Sequence, residues 1–88
     1  MELMFFSAAW CQACKSVYPK WKKLQTADLA ITLREVDIDG EPELALKAGV
    51  RGIPAVVLRD GAVYKHVPLG AVKAGQKDLS AAIMEILE

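Results

Sequence analysis

The chain has 88 residues, with eleven basic and eleven acidic side chains for no formal net charge, and 53% hydrophobic residues against 25% charged ones. That length supports one core and not two, and the composition is that of a folded domain with no disordered block. The balanced charge gives no overall field to attract nucleic acid or an anionic membrane. No apolar run approaches the roughly 18–20 residues of a bilayer span. Glu2 followed by the short run Leu3 to Phe6 does not fit a secretory signal, so the expected product is soluble and cytoplasmic.

Glu2 to Phe6 reads as a short strand buried on both faces, since its apolar run is uninterrupted and aromatic-rich. From Cys11 onward, Cys14, Val17, Tyr18, Trp21 and Leu24 recur at intervals of three and four, which predicts a helix with Cys14 facing the core. Pro19 falls inside that helix and predicts a kink, and Lys20, Lys22 and Lys23 read as a solvated end complementing the helix dipole. Ile31 to Asp37 alternates as a second strand. Glu41 to Ala48 follows as a short helix opened by Pro42 and closed by Gly49. Ala55 to Leu58 and Ala62 to Val67 flank Asp60 and Gly61, the pair expected to supply the positive φ angles of a tight hairpin turn. His66 reads as a surface strand residue. Leu79, Ala82, Ile83, Ile86 and Leu87 mark one face of a terminal helix. The order βαβαββα predicts an α/β fold with a four-stranded mixed sheet: the first crossover makes a parallel pair and the hairpin an antiparallel one.

Cys11-Gln12-Ala13-Cys14 falls where the first strand hands over to the first helix. Unpaired N–H groups and the macrodipole at a helix N-terminus favour an anion, so the Cys11 thiolate should be stabilised there. Cys14, one turn on, is placed to displace a product from a mixed disulfide at Cys11 and close the pair. A zinc site needs about four ligands, whereas the chain offers two cysteines and His66. A crosslink between neighbours is a poor staple, because stability comes from closing long loops, and two inert core thiols would not need the polar Gln12 between them. Thiol–disulfide redox chemistry explains the pair best.

Trp10-Cys11-Gln12-Ala13-Cys14-Lys15 resembles the thioredoxin-family run Trp-Cys-Gly-Pro-Cys-Lys. Pro19 matches the family's helix proline five residues after the second cysteine, and Val50-Arg51-Gly52-Ile53-Pro54 is similar to the segment ending in its cis-proline. The Asp60-Gly61 hairpin and the Gly70-Ala71 step extend the resemblance over nearly the whole chain. It implies a minimal thioredoxin-like domain over residues 1–88 that reduces protein disulfides through Cys11 and Cys14. No cofactor is implied beyond that redox-active disulfide. The implied partners are disulfide-containing client proteins and a reductase as electron donor, by family a flavin-dependent thioredoxin reductase. It also implies a shallow apolar groove bordered by Trp10, Ile53, Pro54 and Gly70, in which the proline, lacking an N–H, leaves neighbouring backbone free to pair with a client. Read without the resemblance, Trp10 is equally well a core residue and Pro54 the start of an edge strand.

The departures are specific. Most members carry an extra strand and helix before the strand that leads to the cysteines, whereas only ten residues precede Cys11. That shortness resembles glutaredoxins and opens a glutathione-linked alternative, although Gly-Ile-Pro and Gly70-Ala71 replace the usual Thr-Val-Pro and paired glycines. A docking module with incidental redox activity is a further alternative. The chain is expected to be monomeric, with a dimer through a bare sheet edge as the other option. The dipeptide Gln12-Ala13 in place of Gly-Pro should change thiolate stabilisation and hence the potential. The family's buried aspartate lies six positions before the first cysteine, where this chain has Phe5. Glu35, on the neighbouring strand, is expected either to take over that acid's part in deprotonating Cys14 or to be an ordinary exposed strand residue.

Overall fold

The computed structural model describes residues 1–22 and 31–69. Four strands and two helices occupy them: β1 (Glu2–Ser7), α1 (Gln12–Lys22), β2 (Thr32–Asp37), α2 (Pro42–Lys47), β3 (Ala55–Asp60) and β4 (Val63–Val67). They make one mixed sheet in the order β2-β1-β3-β4. β1 pairs parallel to β2, with Phe5 opposite Glu35, and antiparallel to β3, which pairs antiparallel to β4. The expected sheet is therefore the observed one. The expected terminal helix, together with Leu24 and Gly70, lies outside the described residues.

β1 is the centre of the molecule. Leu3, Met4, Phe5 and Phe6 are each at most 1% exposed, because α1 and α2 cover opposite faces of the strand. Leu3 and Phe5 pack with Cys11, Cys14, Tyr18, Trp21, Val56 and Leu58 on the α1 face. Met4 and Phe6 pack with Val36, Ala45, Ala48 and Val57 on the α2 face. Phe5 is held among aromatic rings, 5.2 Å from Tyr18 and 6.2 Å from Trp21 in an edge-on arrangement, geometries that favour ring quadrupoles. The strand buried on both faces thus follows from two helices flanking one parallel crossover.

Local signals place the turns. Pro42 stands at the start of α2, where its missing N–H costs nothing. Gly49, with φ of 74°, ends that helix: its N–H donates to the Leu46 carbonyl, and the Val50 N–H to that of Ala45, the paired bonds of a Schellman cap. In the hairpin the structure corrects the sequence reading. Asp60 is the last residue of β3 and pairs with Val63, so the loop is Gly61-Ala62. Gly61 alone, with φ of 60°, has a positive φ there. A positive φ at the first central position only is the requirement of a type II′ turn, for which glycine suffices.

Candidate functional site

The chain leaves β1 at Ser7, and Cys11 is tied back by its N–H to the Ala8 carbonyl at 3.0 Å. Cys11 then stands at the N-cap of α1, and its sulfur accepts the backbone N–H of Cys14 at 3.2 Å. A side-chain acceptor is what an N-cap requires, and here that acceptor is the sulfur itself. Cys11 and Cys14 form a disulfide with Cα atoms 5.4 Å apart, and they are 6% and 3% exposed. Gln12 and Ala13 between them are exposed. When the bond is reduced, the same N–H and the dipole of α1 face whatever charge Cys11 carries.

Trp10 is 64% exposed, so it is not a core residue. Its indole N–H donates to Asp39 Oδ2 at 3.1 Å, and Asp39 is fixed by its own N–H to Asp37 Oδ1 at 2.9 Å. The large apolar ring beside Cys11 is thereby held against the β2–α2 loop while remaining open to solvent. Across the site, Ile53 packs against the core clusters on both faces of the sheet. The following Ile53–Pro54 bond is cis, and Pro54 is half-buried immediately before β3. Gly70 lies outside the described residues.

Glu35 extends from β2 on the α1 face. Its Oε2 pairs with Lys22 Nζ at 2.5 Å, and its Oε1 accepts the Ser7 hydroxyl at 3.4 Å. The Lys22 and Glu35 side chains are each about half exposed, 44% and 52%, so the ion pair itself contributes little stability. Its location is the notable feature: Glu35, Lys22, Ser7 and Tyr18 line one cavity of about 470 Å³ together with Cys14. Lys22 is exposed in the last turn of α1, as the sequence leads one to expect, and also pairs with Glu35. Ser7, Lys22 and Asp39 carry no motif that would have singled them out.

Tyr18 was visible only as a member of the apolar face of α1. Its hydroxyl, buried between α1 and the sheet, accepts the Ala55 N–H at 2.8 Å, and its proton lies between the carbonyls of Ala55, at 2.7 Å, and Phe6. Burial, reinforced by the negative charge of Glu35 and opposed by the hydrogen bond with Ala55, pushes the Tyr18 hydroxyl up to about 12. A buried tyrosine ordinarily finds such partners, which is the one signal that could have marked it. His66 is exposed on β4, with Nε2 2.9 Å from the Ala48 carbonyl. Among the described residues, no three His, Cys, Asp or Glu side chains come together as a metal site, and no helix is long and apolar enough to cross a membrane.

Residues 1–85 match the Thioredoxin family model. The chain is 38% identical over 71 residues to a thioredoxin of Rhodospirillum rubrum, an alignment covering 80% of this chain and 64% of that relative, so the match spans less than two thirds of its length. Among solved structures it is similar to one described as a malarial protein, with a TM-score of 0.70 at 30% identity over 99% of this chain and 97% of that one. Oxidised mitochondrial thioredoxin 3 of Saccharomyces cerevisiae shares the fold, with a TM-score of 0.64 at 24% identity, covering 98% of this chain and 76% of that one.

Proposed function

Because this chain belongs to the thioredoxin family, we propose that it is a cytoplasmic dithiol oxidoreductase that reduces disulfides of client proteins through Cys11 and Cys14. The observation that carries the reading is the pairing of the two cysteines at the start of α1, with the sulfur of Cys11 capping the helix through the Cys14 N–H. In the reduced protein the Cys11 thiolate attacks one sulfur of a client disulfide. A Cys11–client S–S bond forms, the client S–S bond breaks, and the first client thiolate leaves and takes up a proton. Cys14, as thiolate, then attacks Cys11 Sγ, forming the Cys11–Cys14 bond and releasing the second client thiolate. Two electrons pass from the protein dithiol to the client.

The client segment lies extended over Trp10, Ile53 and Pro54. The exposure of Trp10 and its fixation on Asp39 support this part of the reading. Gln12 and Ala13 set the environment of the helix end and so the potential. Glu35 takes up the proton of Cys14, a role supported by the cavity the two residues share. A flavin-dependent thioredoxin reductase returns the electrons, and the Cys11–Cys14 pair is the only redox group required.

Cys14→Ser tests the order of the two cysteines. Incubated with a disulfide-linked client peptide, the reduced variant is expected to accumulate a mixed disulfide at Cys11, visible as a mass increase under non-reducing conditions, while the wild type accumulates none. A Cys14→Ser protein that stays unmodified, or attachment of the peptide at Cys14 in a Cys11→Ser protein instead, contradicts the assignment.

A further inference from the structure

Resolution of the mixed disulfide requires the Cys14 thiol to lose its proton, yet Cys14 is 3% exposed and a client docked at Cys11 covers the solvent side of the pair. Among the described residues, a cavity lined by Cys14 offers a way out. Ser7 lines it, buried at 9% exposure, and continues the α1-facing row Leu3, Phe5 of β1 as a hydroxyl instead of an apolar group. Its hydroxyl donates to Glu35 Oε1 at 3.4 Å, which leaves its lone pairs to accept from another donor in the cavity. At 3.4 Å that bond is too long to add much stability, and contacts of this kind commonly shorten in the reacting complex.

We infer that Ser7 is a relay hydroxyl, passing the proton of Cys14 to Glu35 while Lys22 anchors the other carboxylate oxygen. The inference rests on the dithiol reading above. In the step, the Cys14 S–H bond breaks as Ser7 Oγ takes its proton and gives its own to Glu35 Oε1. The Cys14 thiolate forms a bond to Cys11 Sγ, the Cys11–client S–S bond breaks, and the client leaves as thiolate with the electron pair. Glu35, half exposed at the cavity, then returns the proton to solvent and Ser7 regains its starting orientation. The charged and titratable groups lining this cavity are Lys15, Tyr18 and Lys22 from α1 and Glu35 and Asp37 from β2. The carboxylate is thus paired with Lys22, while Lys15 and Asp37 line the same cavity.

The test is stopped-flow reduction of 5,5′-dithiobis(2-nitrobenzoate), in which attack by Cys11 and resolution by Cys14 release one thionitrobenzoate each in separate phases. With Ser7→Ala the first phase should match wild type. The second should slow at neutral pH by about tenfold or more, short of the roughly 10²–10⁴-fold worth of a full general base because water enters the vacated space. That deficit should shrink as pH rises, because hydroxide entering the cavity increasingly replaces the relay as proton acceptor. Ser7→Thr, which keeps the hydroxyl, should restore the second phase, and Glu35→Gln should reproduce the Ser7→Ala profile. A second phase in Ser7→Ala superimposable on wild type overturns the relay, as does an equal slowing of Ser7→Ala and Ser7→Thr at every pH, which marks a packing role. Loss of the first phase from folded wild-type protein instead overturns the dithiol reading on which the relay rests.

Discussion

Phe5→Ala is expected to lower the free energy of unfolding by about 3–5 kcal/mol, a large share of the roughly 4–13 kcal/mol available to a chain of this size. Phe5 is 1% exposed and sits between Tyr18 and Trp21 at the middle of the central strand. Truncation leaves a cavity whose walls belong to three elements, β1, β3 and α1, which cannot all close on it. Denaturant unfolding should show a lower midpoint with an unchanged slope, and a loss below about 1 kcal/mol would mean that the site collapses freely. The same packing explains why an acid is absent here. A carboxylate in place of Phe5 would stand among aromatic rings with no partner, a costly burial. The register partner of Phe5 on the half-exposed neighbouring strand is Glu35, where a carboxylate keeps contact with water and with Lys22.

Tyr18→Phe removes one oxygen and is expected to cost about 1–3 kcal/mol, because the Ala55 N–H loses its acceptor inside the fold. The pH dependence separates this from a simple packing defect. The Tyr18 hydroxyl is pushed up to about 12 from its ordinary 10. Between these values the unfolded chain has released the proton and the folded protein holds it, so stability falls as pH rises through that window. The full fall is about 2–3 kcal/mol, and below pH 10 the contribution is intact. The wild-type advantage over Tyr18→Phe should therefore shrink from pH 10 to 12. Unfolding free energies of the two proteins that run parallel across that window would show that Tyr18 ionises as readily folded as unfolded.

Much of this architecture is written locally. The unbroken run Leu3 to Phe6 reads as a strand covered on both faces, and the spacing of Cys14, Tyr18 and Trp21 reads as one face of a helix; both are what the core shows. Pro42 and Gly49 bound α2 because each acts on its own backbone. The hairpin turn was displaced by one residue: Asp-Gly reads as the turn pair, but pairing of Asp60 with Val63 moves the loop to Gly61-Ala62. What the sequence hid are contacts between elements distant along the chain. Lys22 finds Glu35, Trp10 finds Asp39 and Tyr18 finds Ala55 only once the crossover brings α1, β2 and β3 together. The cysteine pair was legible because its chemistry is local, whereas Ser7 gains meaning only from the cavity it shares with Cys14 and Glu35.

The most direct test of the account is reduction of insulin disulfides with dithiothreitol as electron source, comparing wild type with Cys11→Ser alongside a redox titration of the pair. Catalysed reduction is expected from the wild type, a rate no greater than dithiothreitol alone from Cys11→Ser, and a strongly reducing two-electron potential from the pair. A folded wild-type protein with titratable thiols that gives no rate above dithiothreitol, or a Cys11→Ser protein that retains it, would contradict the claim that this dithiol reduces protein disulfides.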